Sequence, residues 1–338
     1  MNNTDTRYTQ CALAREMLQT VDVVANFDPS RTQGLAKKIT QASKLLLTGE
    51  GSSRIFPAKY AISRALTWGL DMPIHTEGAR QATAYDLTKF AVMAASNSGR
   101  TGEVIVLMKQ LIAQNHQLRF GLTANDGTIL HDVCNEAFVL TCGGEDAVAA
   151  TKSVAEQAMF YQSLVYQLAG KDIKADLAGL DQKMAQALTM PVSANIIKAA
   201  SNASTIYFAG LNDGVAEELT LKTNEITRKK SDYLEGTYAV HGIEEVMNPQ
   251  DVVFIVDPIE AEAEKFKKVL VDGVGMTVVA ISTKPTIFDT IQVPDAGEMN
   301  AFVHLCAGWN VLVETGLELG INLDKPERAR KVGNEFVG

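Results

Sequence analysis

The sequence predicts an α/β protein built from two doubly wound parallel sheets in tandem, each a flavodoxin-like, three-layer α/β/α arrangement. Its 338 residues are enough for two domains of about 100–200 residues each. Short apolar runs that are bounded by turn residues and followed by helical periodicity are typical of strands in a parallel sheet. The order of these runs repeats once along the chain, which indicates two copies of one unit.

The first half begins with a helical segment, residues 1–40, in which ALAREMLQTVDVVANF places apolar side chains at steps of three and four. The run KLLLTG, residues 44–49, predicts the first strand, and the stretch RIFPAKYAISRALTWGL after it predicts a helix. A long helical pattern at 147–170 closes this half. Three further apolar runs between them predict strands, at 90–95, 118–123 and 136–141.

The second half repeats this plan with a closing helix at 297–319 and with apolar runs that start at residues 205, 252, 277 and 290. The first two strands start at 44 and 90 in the first half and at 205 and 252 in the second, so this spacing agrees to one residue. Two unrelated α/β domains of similar size are the alternative. The predicted organisation has four parts, a helical segment at 1–40, a first α/β domain at 41–170, a helical linker at 171–200 and a second α/β domain at 201–338.

The charge balance excludes some classes of partner. The chain carries 31 Lys and Arg residues against 40 Asp and Glu, a net charge of −9, whereas nucleic-acid binding needs a clustered basic face. No apolar run approaches the roughly 18 residues of a membrane span, and the polar start MNNTDTRYTQ has no apolar signal core. Four scattered cysteines without a CxxC pair are typical of reduced thiols. We therefore expect a cytoplasmic protein without nucleic-acid or membrane partners.

Two loops that follow predicted strands carry unusual chemistry, GEGSSR at 49–54 and SNSGRT at 96–101. Each joins a buried strand to a helix, where free backbone N–H groups and the positive end of the helix favour an anion. Glycines let the backbone approach such a ligand, and hydroxyls donate further hydrogen bonds. Helix capping explains either loop alone, but two such loops at neighbouring strand ends favour an anion site.

Other ligand motifs are absent from the sequence. It contains neither GxxxxGK[ST] nor GxGxxG, so nucleotide binding has no positive support. None of its five histidines has a partner at a metal-ligand spacing such as HxH or HExxH. We therefore expect neither a metal nor a cofactor.

With these two loops, the sequence resembles the sugar isomerase (SIS) family, and within it the double-domain members related to the isomerase half of glucosamine-6-phosphate synthase. The resemblance extends from about residue 40 to the last residue, and its most specific motif is S-x-S-G-x-T-x-E, here SNSGRTGE. GEGSS resembles the family's first phosphate loop, and VAATK at 148–152 resembles a third element that lines the sugar site.

The resemblance implies that an anionic sugar is bound by residues of these three elements. Two arginines, Arg54 and Arg100, flank the anion loops and are not fixed features of the family. Arg54 is expected to add a charge-assisted contact. The alternative is that both arginines face solvent, which is favoured for Arg100. The other expected substrate-binding residues are Gly51, Ser52, Ser53, Ser96, Asn97, Ser98, Thr101, Val148 and Ala149.

The resemblance also implies catalytic residues. The family has a Glu on a helix of its second half and a His in a loop sixteen residues later, which match Glu225 and His241, and a Lys five residues after a Pro, which matches Pro326 and Lys331. Glu225 would move a proton between carbons 1 and 2, His241 would open the sugar ring, and Lys331 would polarise the carbonyl. For Glu225 and Lys331 the alternative is an ordinary solvated side chain. In the synthase group this His acts in the neighbouring subunit's site, which implies a homodimer with shared active sites.

The chain departs from the family's pattern at several positions. His241 is followed by Gly242-Ile243 where the family reads His-Gly-Pro, Glu50 stands where the synthase has Cys, and GLNDG at 210–214 is not a clear phosphate loop. Because only about 40 residues precede the first strand, we expect no glutaminase domain. These departures leave the identity of the sugar open more than the class of reaction.

The function expected is therefore aldose–ketose isomerisation of a sugar with an anionic group at carbon 6. That group is phosphate, or sulfonate in a sulfosugar such as sulfoquinovose. The main alternative is an amino-sugar-phosphate deaminase or a fructosamine-6-phosphate deglycase, because family members perform those reactions with the same Glu and His. A non-catalytic sugar-phosphate sensor is a third possibility, which the presence of both catalytic candidates disfavours.

Overall fold

The structure, a computed structural model, describes residues 1–328 and 335–336. Contacts within the chain divide it into two units, named here by the sheet that each contains. The first-sheet unit comprises Asp22–Glu145, Ala150–Ala175 and the described residues from Arg328 onward. The second-sheet unit comprises Met1–Val21, Asp146–Ala149 and Asp176–Glu327. The sequence-based domain boundaries stay predictions.

The chain begins with two helices, α1 (Thr6–Thr9) and α2 (Ala12–Ala25), and the first sheet follows. Its strands are β1 (Lys44–Gly49), β2 (Ile74–Gly78), β3 (Phe90–Ala95), β4 (Arg119–Thr123) and β5 (Glu136–Val139). The helices of this unit are α3 (Gln33–Ile39), α4 (Ile55–Thr67), α5 (Ala79–Ala82), α6 (Gly102–Ala113), α7 (Ile129–Val133) and α8 (Lys152–Leu168).

The first sheet is parallel throughout, with the strand order β2-β1-β3-β4-β5. This order places β1 beside β3, so the chain runs outward in both directions from this pair. In doubly wound sheets such a switch point is where ligands lie, beyond the carboxyl ends of the two strands. The two loops singled out in the sequence follow β1 and β3.

Both faces of the first sheet are covered. Leu46, Val92 and Ala94 are buried in an apolar cluster with residues of α5, α6 and α7. The alternate positions Leu45 and Met93, which point to the opposite face, are equally buried. Strands buried on both faces read as continuous apolar runs, and this is why β1 and β3 were recognisable in the sequence.

After α8, three helices precede the second sheet, α9 (Lys174–Leu177), α10 (Leu180–Thr189) and α11 (Ala194–Asn202). Its strands are β6 (Thr205–Gly210), β7 (Lys230–Glu235), β8 (Val252–Val256), β9 (Thr277–Ser282) and β10 (Asp289–Gln292). Its remaining helices are α12 (Val215–Thr227), α13 (Ala263–Phe266), which continues as a π-helix over Lys267–Val274, and α14 (Asn300–Glu318).

The second sheet has the same topology as the first. Its strands are parallel and lie in the order β10-β9-β8-β6-β7. Counted within each half, both sheets therefore have the order second, first, third, fourth, fifth strand. The shared strand order supports the repeat predicted from strand spacing. The two parallel sheets confirm the predicted α/β class.

One strand in each half of the chain was not predicted from the sequence. β2 and β7 lie at the edges of their sheets, and the side chains of their sequences, IHTEG and KSDYLE, are exposed or partly buried except for the buried Leu234. An edge strand needs no continuous apolar run, because one side of it faces solvent. The helix predicted at 147–170 is also shorter, since α8 begins at Lys152.

Among the residues that the structure describes, no helix is long and apolar enough to cross a membrane. All four cysteines are free thiols.

A buried carboxylate anchors α8 in the first-sheet unit. Glu156 is fully buried and accepts hydrogen bonds from the backbone N–H groups of Thr141 (2.8 Å) and Cys142 (2.7 Å) and from the Thr141 hydroxyl (2.8 Å). Its Oε1 also lies 3.0 Å from Nη1 of Arg31. This carboxylate ties the segment after β5 and the segment before α3 to one helix.

We expect Glu156→Ala to lower the free energy of unfolding by about 3–5 kcal/mol, as is usual when one partner of a buried ion pair is removed. Glu136 provides a matched control, because its ion pair with Lys38 (2.6 Å) is exposed and Glu136→Ala should cost less than about 1 kcal/mol. Urea unfolding followed by circular dichroism measures both values. Equal losses for the two variants would contradict the anchoring role.

A second buried group, His304 on α14, makes stability depend on pH. Its side chain is 1% exposed, and Nε2 has no hydrogen-bond partner among the described residues. Burial lowers the pKa of His304 below its usual value of 6.5, and the nearby carboxylates of Asp257 and Asp295 partly oppose this shift. The imidazole is therefore held neutral in the folded protein.

The unfolded chain binds a proton at His304 below about pH 6.5, whereas the folded chain resists it. Stability contributed by the neutral imidazole is therefore present above pH 6.5 and decreases as the pH falls toward the folded-state pKa, by up to about 1.4 kcal/mol per pH unit. We expect His304→Leu to show a shallower loss of unfolding free energy between pH 7 and pH 5. Urea titrations across this range would contradict the assignment if wild type and variant had equal slopes.

Candidate active site

The two predicted anion loops lie side by side at the switch point of the first sheet. Residues Gly51–Ser53 form a 3₁₀ turn between β1 and α4, and residues 96–101 connect β3 to α6. A side chain at Gly49 would place its Cβ 2.9 Å from the carbonyl oxygen of Ala95. The glycine therefore permits the close approach of the two strand ends.

Hydroxyl groups order the loop 96–101 from within. Ser96 Oγ lies 2.7 Å from Thr101 Oγ1, and the Ser98 hydroxyl oxygen accepts from the Arg100 backbone N–H (3.2 Å). Ser96 is buried, whereas Ser98 and Thr101 are partly exposed. Ser96 therefore supports the loop, and the partly exposed Ser98 and Thr101 lie just before α6.

Gly99 is required at its position for two reasons. Its φ of +64° is a left-handed conformation that favours glycine. A Cβ there would lie 2.1 Å from Thr128 Oγ1, so α7 packs directly against the loop backbone. The S-x-S-G part of the motif thus specifies the shape of this loop.

Each of the two loops carries an arginine, and the two arginines differ in exposure. Arg54 is partly exposed at the start of α4, and Arg100 in the second loop is exposed. The Glu50 carboxylate lies toward β2, where it accepts from the Arg80 backbone N–H (3.4 Å). Arg54 is therefore the arginine that directly follows Ser52 and Ser53, whereas Arg100 belongs to the second loop.

Residues 335–336, near the end of the chain, pair with the loop 96–101. Glu335 forms an antiparallel bridge with Thr101, and the Phe336 N–H donates to the Arg100 carbonyl oxygen (2.8 Å). The Phe336 ring lies 4.0 Å from Lys109 Nζ on α6. Lys331, the predicted carbonyl-polarising residue, lies outside the described residues.

Glu225 lies on α12 of the second-sheet unit and forms an ion pair within that helix. Lys222 Nζ is 2.7 Å from Glu225 Oε2 and 3.4 Å from Glu218 Oε1. The side chains of Lys222 and Glu218 are fully buried, whereas that of Glu225 is 30% exposed. Among the described residues, Glu225 Oε1 has no hydrogen-bond partner, so one carboxylate oxygen is held by Lys222 and the other is not.

His241 follows the short 3₁₀ helix Tyr238–Val240 after β7. It is exposed, and its Nε2 lies 3.3 Å from Lys265 Nζ. In the part of the chain that the structure describes, no hydrogen bond or ion pair joins His241 to Glu225. Within this unit, the two predicted catalytic side chains are therefore not brought together.

Val148 and Ala149 belong to a short stretch, Asp146–Ala149, of the second-sheet unit. Backbone N–H groups of Asp146 and Ala147 donate to the buried Glu16 carboxylate on α2, which holds this stretch in place. Val148 is partly exposed and Ala149 is buried. The predicted anion-binding residues thus belong to one unit, and Val148, Ala149, Glu225 and His241 belong to the other.

At the carboxyl edge of the second sheet, β6 leads into the residues GLNDG at 210–214, which include no Ser or Thr hydroxyl. The cavity there has room for about 10 Å³ and is lined mainly by apolar side chains, including Leu211, Ile255, Phe266 and Phe288. That space holds no more than about one water molecule. Elsewhere in residues 1–328 and 335–336, no three His, Cys, Asp or Glu side chains group as metal ligands.

Three residues that contact the predicted site residues were not predicted from the sequence. Lys222 pairs with Glu225, Gln157 on α8 donates to the Ser53 carbonyl oxygen (2.5 Å), and Glu145 accepts from Asn97 Nδ2 (3.0 Å). A signal was available for Lys222, since residues three apart on a helix are neighbours. Glu145 and Gln157 lie 48 and 104 residues from their partners, so no local pattern reveals them.

No protein-family model matches this sequence, and no curated protein matches it significantly. Solved structures do match its fold over almost the whole chain. Tagatose-6-phosphate ketose/aldose isomerase from Escherichia coli aligns with a TM-score of 0.78 and 15% identity, covering 96% of this chain and 98% of that one. The C-terminal domain of glucosamine-fructose-6-phosphate aminotransferase from Francisella tularensis aligns with a TM-score of 0.75 and 17% identity, covering 96% and 100%.

A third similar structure is glucosamine-6-phosphate deaminase from Thermotoga maritima, with a TM-score of 0.74, 19% identity and coverage of 96% of this chain and 99% of that one. Identities this low establish fold alone. The chain therefore has the fold of sugar-phosphate isomerases and deaminases, and the resemblance to the SIS family indicated by its motifs is confirmed at the level of fold.

Proposed function

We propose that this chain is an aldose–ketose isomerase that acts on a sugar with an anionic group at carbon 6. The observation that carries the proposal is the pair of Ser/Thr/Gly loops at the switch point of the first sheet, each ahead of a helix N-terminus. Such an edge binds a tetrahedral anion through N–H groups and hydroxyls without needing a basic surface. The net charge of −9 is compatible with this mode of binding.

The proposed reaction moves one proton between two carbons. In the aldose-to-ketose direction, Glu225 removes the proton from carbon 2, and the electrons of that C–H bond form an enediol as the carbonyl oxygen on carbon 1 gains a proton. The same carboxyl group returns the proton to carbon 1 while the hydroxyl on carbon 2 loses its proton to become the ketone. Glu225 Oε1 performs the transfer, because Oε2 is held by Lys222.

The remaining proposed roles follow from side-chain chemistry. His241 passes a proton from the ring hydroxyl to the ring oxygen, which opens the sugar, and Lys331 polarises the carbonyl. Because Glu225 and His241 do not meet within their own unit, we propose that His241 acts in the site of a second subunit. Mixed dimers of Glu225→Ala and His241→Ala chains should then regain activity, and no recovery after subunit exchange would exclude a shared site.

The anion is phosphate or sulfonate. Ser52, Ser53, Ser98 and Thr101 can donate to either group, and the partly exposed Arg54 adds charge. The direct test incubates the purified protein with glucose 6-phosphate, fructose 6-phosphate and sulfoquinovose and follows aldose–ketose interconversion by NMR. Conversion of one sugar is expected, and a folded protein that converts none would overturn the proposal.

A second candidate function, hydrolytic release of nitrogen from an amino sugar phosphate, is favoured by the similarity to a glucosamine-6-phosphate deaminase. In the SIS family that the sequence resembles, the same Glu and His serve both reactions. The presence of Glu225 and His241 therefore does not distinguish an isomerase from a deaminase. Ammonia or amine release from glucosamine 6-phosphate or fructosamine 6-phosphate, without conversion of the plain sugars, would favour this second function.

A further inference from the structure

Glu145 joins the loop 96–101 to the start of α8 within the first-sheet unit. Its Oε2 accepts hydrogen bonds from Asn97 Nδ2 (3.0 Å) and from Ser153 Oγ (2.5 Å). Its Oε1 accepts from the backbone N–H groups of Thr151 (2.8 Å) and Ser153 (3.4 Å) and from the Thr151 hydroxyl (3.3 Å). One carboxylate thus occupies the N-terminal end of α8 and holds the Asn97 side chain.

This contact determines which end of the Asn97 amide faces a ligand. A side-chain amide has a donor end, Nδ2, and an acceptor end, Oδ1. A carboxylate only accepts, so the reversed amide would place two oxygens in contact. One of the two N–H groups of Nδ2 is therefore directed to Glu145, while Oδ1 accepts no hydrogen bond from the described residues. Asn97 is partly exposed, and an amide whose Nδ2 faces Glu145 directs its Oδ1 away from that carboxylate.

The same carboxylate affects where an anion can bind. The N-terminal end of α8 would otherwise attract a negative ligand, but Glu145 already occupies it. The helix ends that remain at the switch point are those of α4 and α6, which follow the two anion loops.

We infer that Glu145 is a positioning residue that makes Asn97 a hydrogen-bond acceptor, and that Asn97 recognises a hydroxyl group of the sugar rather than its anion. A carbonyl oxygen repels the oxygens of phosphate or sulfonate, whereas it accepts a hydrogen bond from a neutral hydroxyl. The anion is left to the donors Ser98, Thr101 and the N–H groups of α4 and α6. This inference rests on the proposed function and gives Asn97 a role other than anion contact.

The first test needs no ligand. In protein labelled with ¹⁵N-asparagine, the side-chain NH₂ signals of Asn97 are assigned by their loss in Asn97→Ala. We expect these signals to exchange slowly with solvent in the wild type and to shift and exchange faster in Glu145→Gln. Ser153→Ala is the matched control, because it removes a contact of Glu145 with α8 and leaves the contact with Asn97. Unchanged signals in Glu145→Gln would overturn the positioning role.

The second test compares ligands that have and lack hydroxyl groups. Asn97→Ala and Glu145→Gln should each raise the dissociation constant for glucose 6-phosphate by about 3- to 10-fold, as expected for loss of one hydrogen bond. The dissociation constant for inorganic phosphate should change less than twofold. The double variant should bind no more weakly than Asn97→Ala, and Ser153→Ala should lower the melting temperature without changing the ratio of the two constants.

Equal weakening of both ligands in Asn97→Ala would show that Asn97 contacts the anion and would overturn the inference. Sulfate and sulfoquinovose serve as the corresponding pair if the sugar is a sulfonate. A wild-type protein that binds inorganic phosphate or sulfate but neither sugar would overturn the proposed function and the hydroxyl role of Asn97. In that case the amide signals still decide whether Glu145 holds Asn97.

Discussion

Replacing Glu225 by Gln is expected to lower kcat for sugar interconversion by about 10³-fold, within the range of roughly 10²–10⁴ typical of a lost general base. The amide has the shape of the carboxyl group and its oxygen can still accept from Lys222, but it cannot take a proton from carbon. KM should change far less than kcat, because the anion loops belong to residues 49–54 and 96–101. Exchange of solvent deuterium into fructose 6-phosphate, followed by NMR, measures the proton transfer directly.

The matched control for this variant is Glu318→Gln, which changes an exposed carboxylate on α14. Its kcat should remain within about twofold of wild type, and both variants should keep the wild-type melting temperature within a few degrees. If Glu225→Gln retained more than a tenth of the wild-type kcat, Glu225 would not be the base. Another carboxylate would then have to be sought for the proton transfer.

The fold was largely predictable because buried parallel strands have a local signature. Eight apolar runs indicated eight strands, and each lies within a few residues of the predicted position. β2 and β7 were not predictable in this way, since edge strands carry exposed polar side chains such as those of His75 and Asp232. The common strand order of the two sheets needed the three-dimensional structure, because spacing along the chain does not specify which strands are neighbours.

The candidate site was predictable only where its chemistry is local in sequence. The loops around Ser53 and Ser98 were recognised because glycines and hydroxyls cluster within a few residues, and their position at the switch point follows from the strand order. The supporting contacts were missed, since Glu145 and Gln157 act across long stretches of chain. Lys222 was overlooked for another reason. Its spacing of three residues marks it as a helical neighbour of Glu225, but the spacing does not show that this lysine is fully buried, which is rare for lysine.

Lys222→Met is expected to have the second large effect, on stability and on activity together. The ammonium is fully buried between two carboxylates, and its removal leaves Glu218, also fully buried, without the cation 3.4 Å away. Removing one partner from a buried ion pair typically costs about 3–5 kcal/mol. Activity should fall by at least about tenfold, because Glu225 loses the 2.7 Å contact that holds Oε2. Urea unfolding and initial rates measure the two effects.

The two effects can be separated by a second substitution. Adding Glu218→Gln to Lys222→Met removes the buried negative charge as well, so the double variant should be more stable than Lys222→Met by at least about 1 kcal/mol, which reveals the coupling between the two groups. Its activity should remain low, since Glu225 is still without Lys222. If the double variant recovered both the unfolding free energy and the activity of the wild type, Lys222 would act only by neutralising Glu218. An unfolding free energy for Lys222→Met within about 1 kcal/mol of wild type would show that the buried ammonium is not needed for the fold of α12, because such an ion pair should cost more to break.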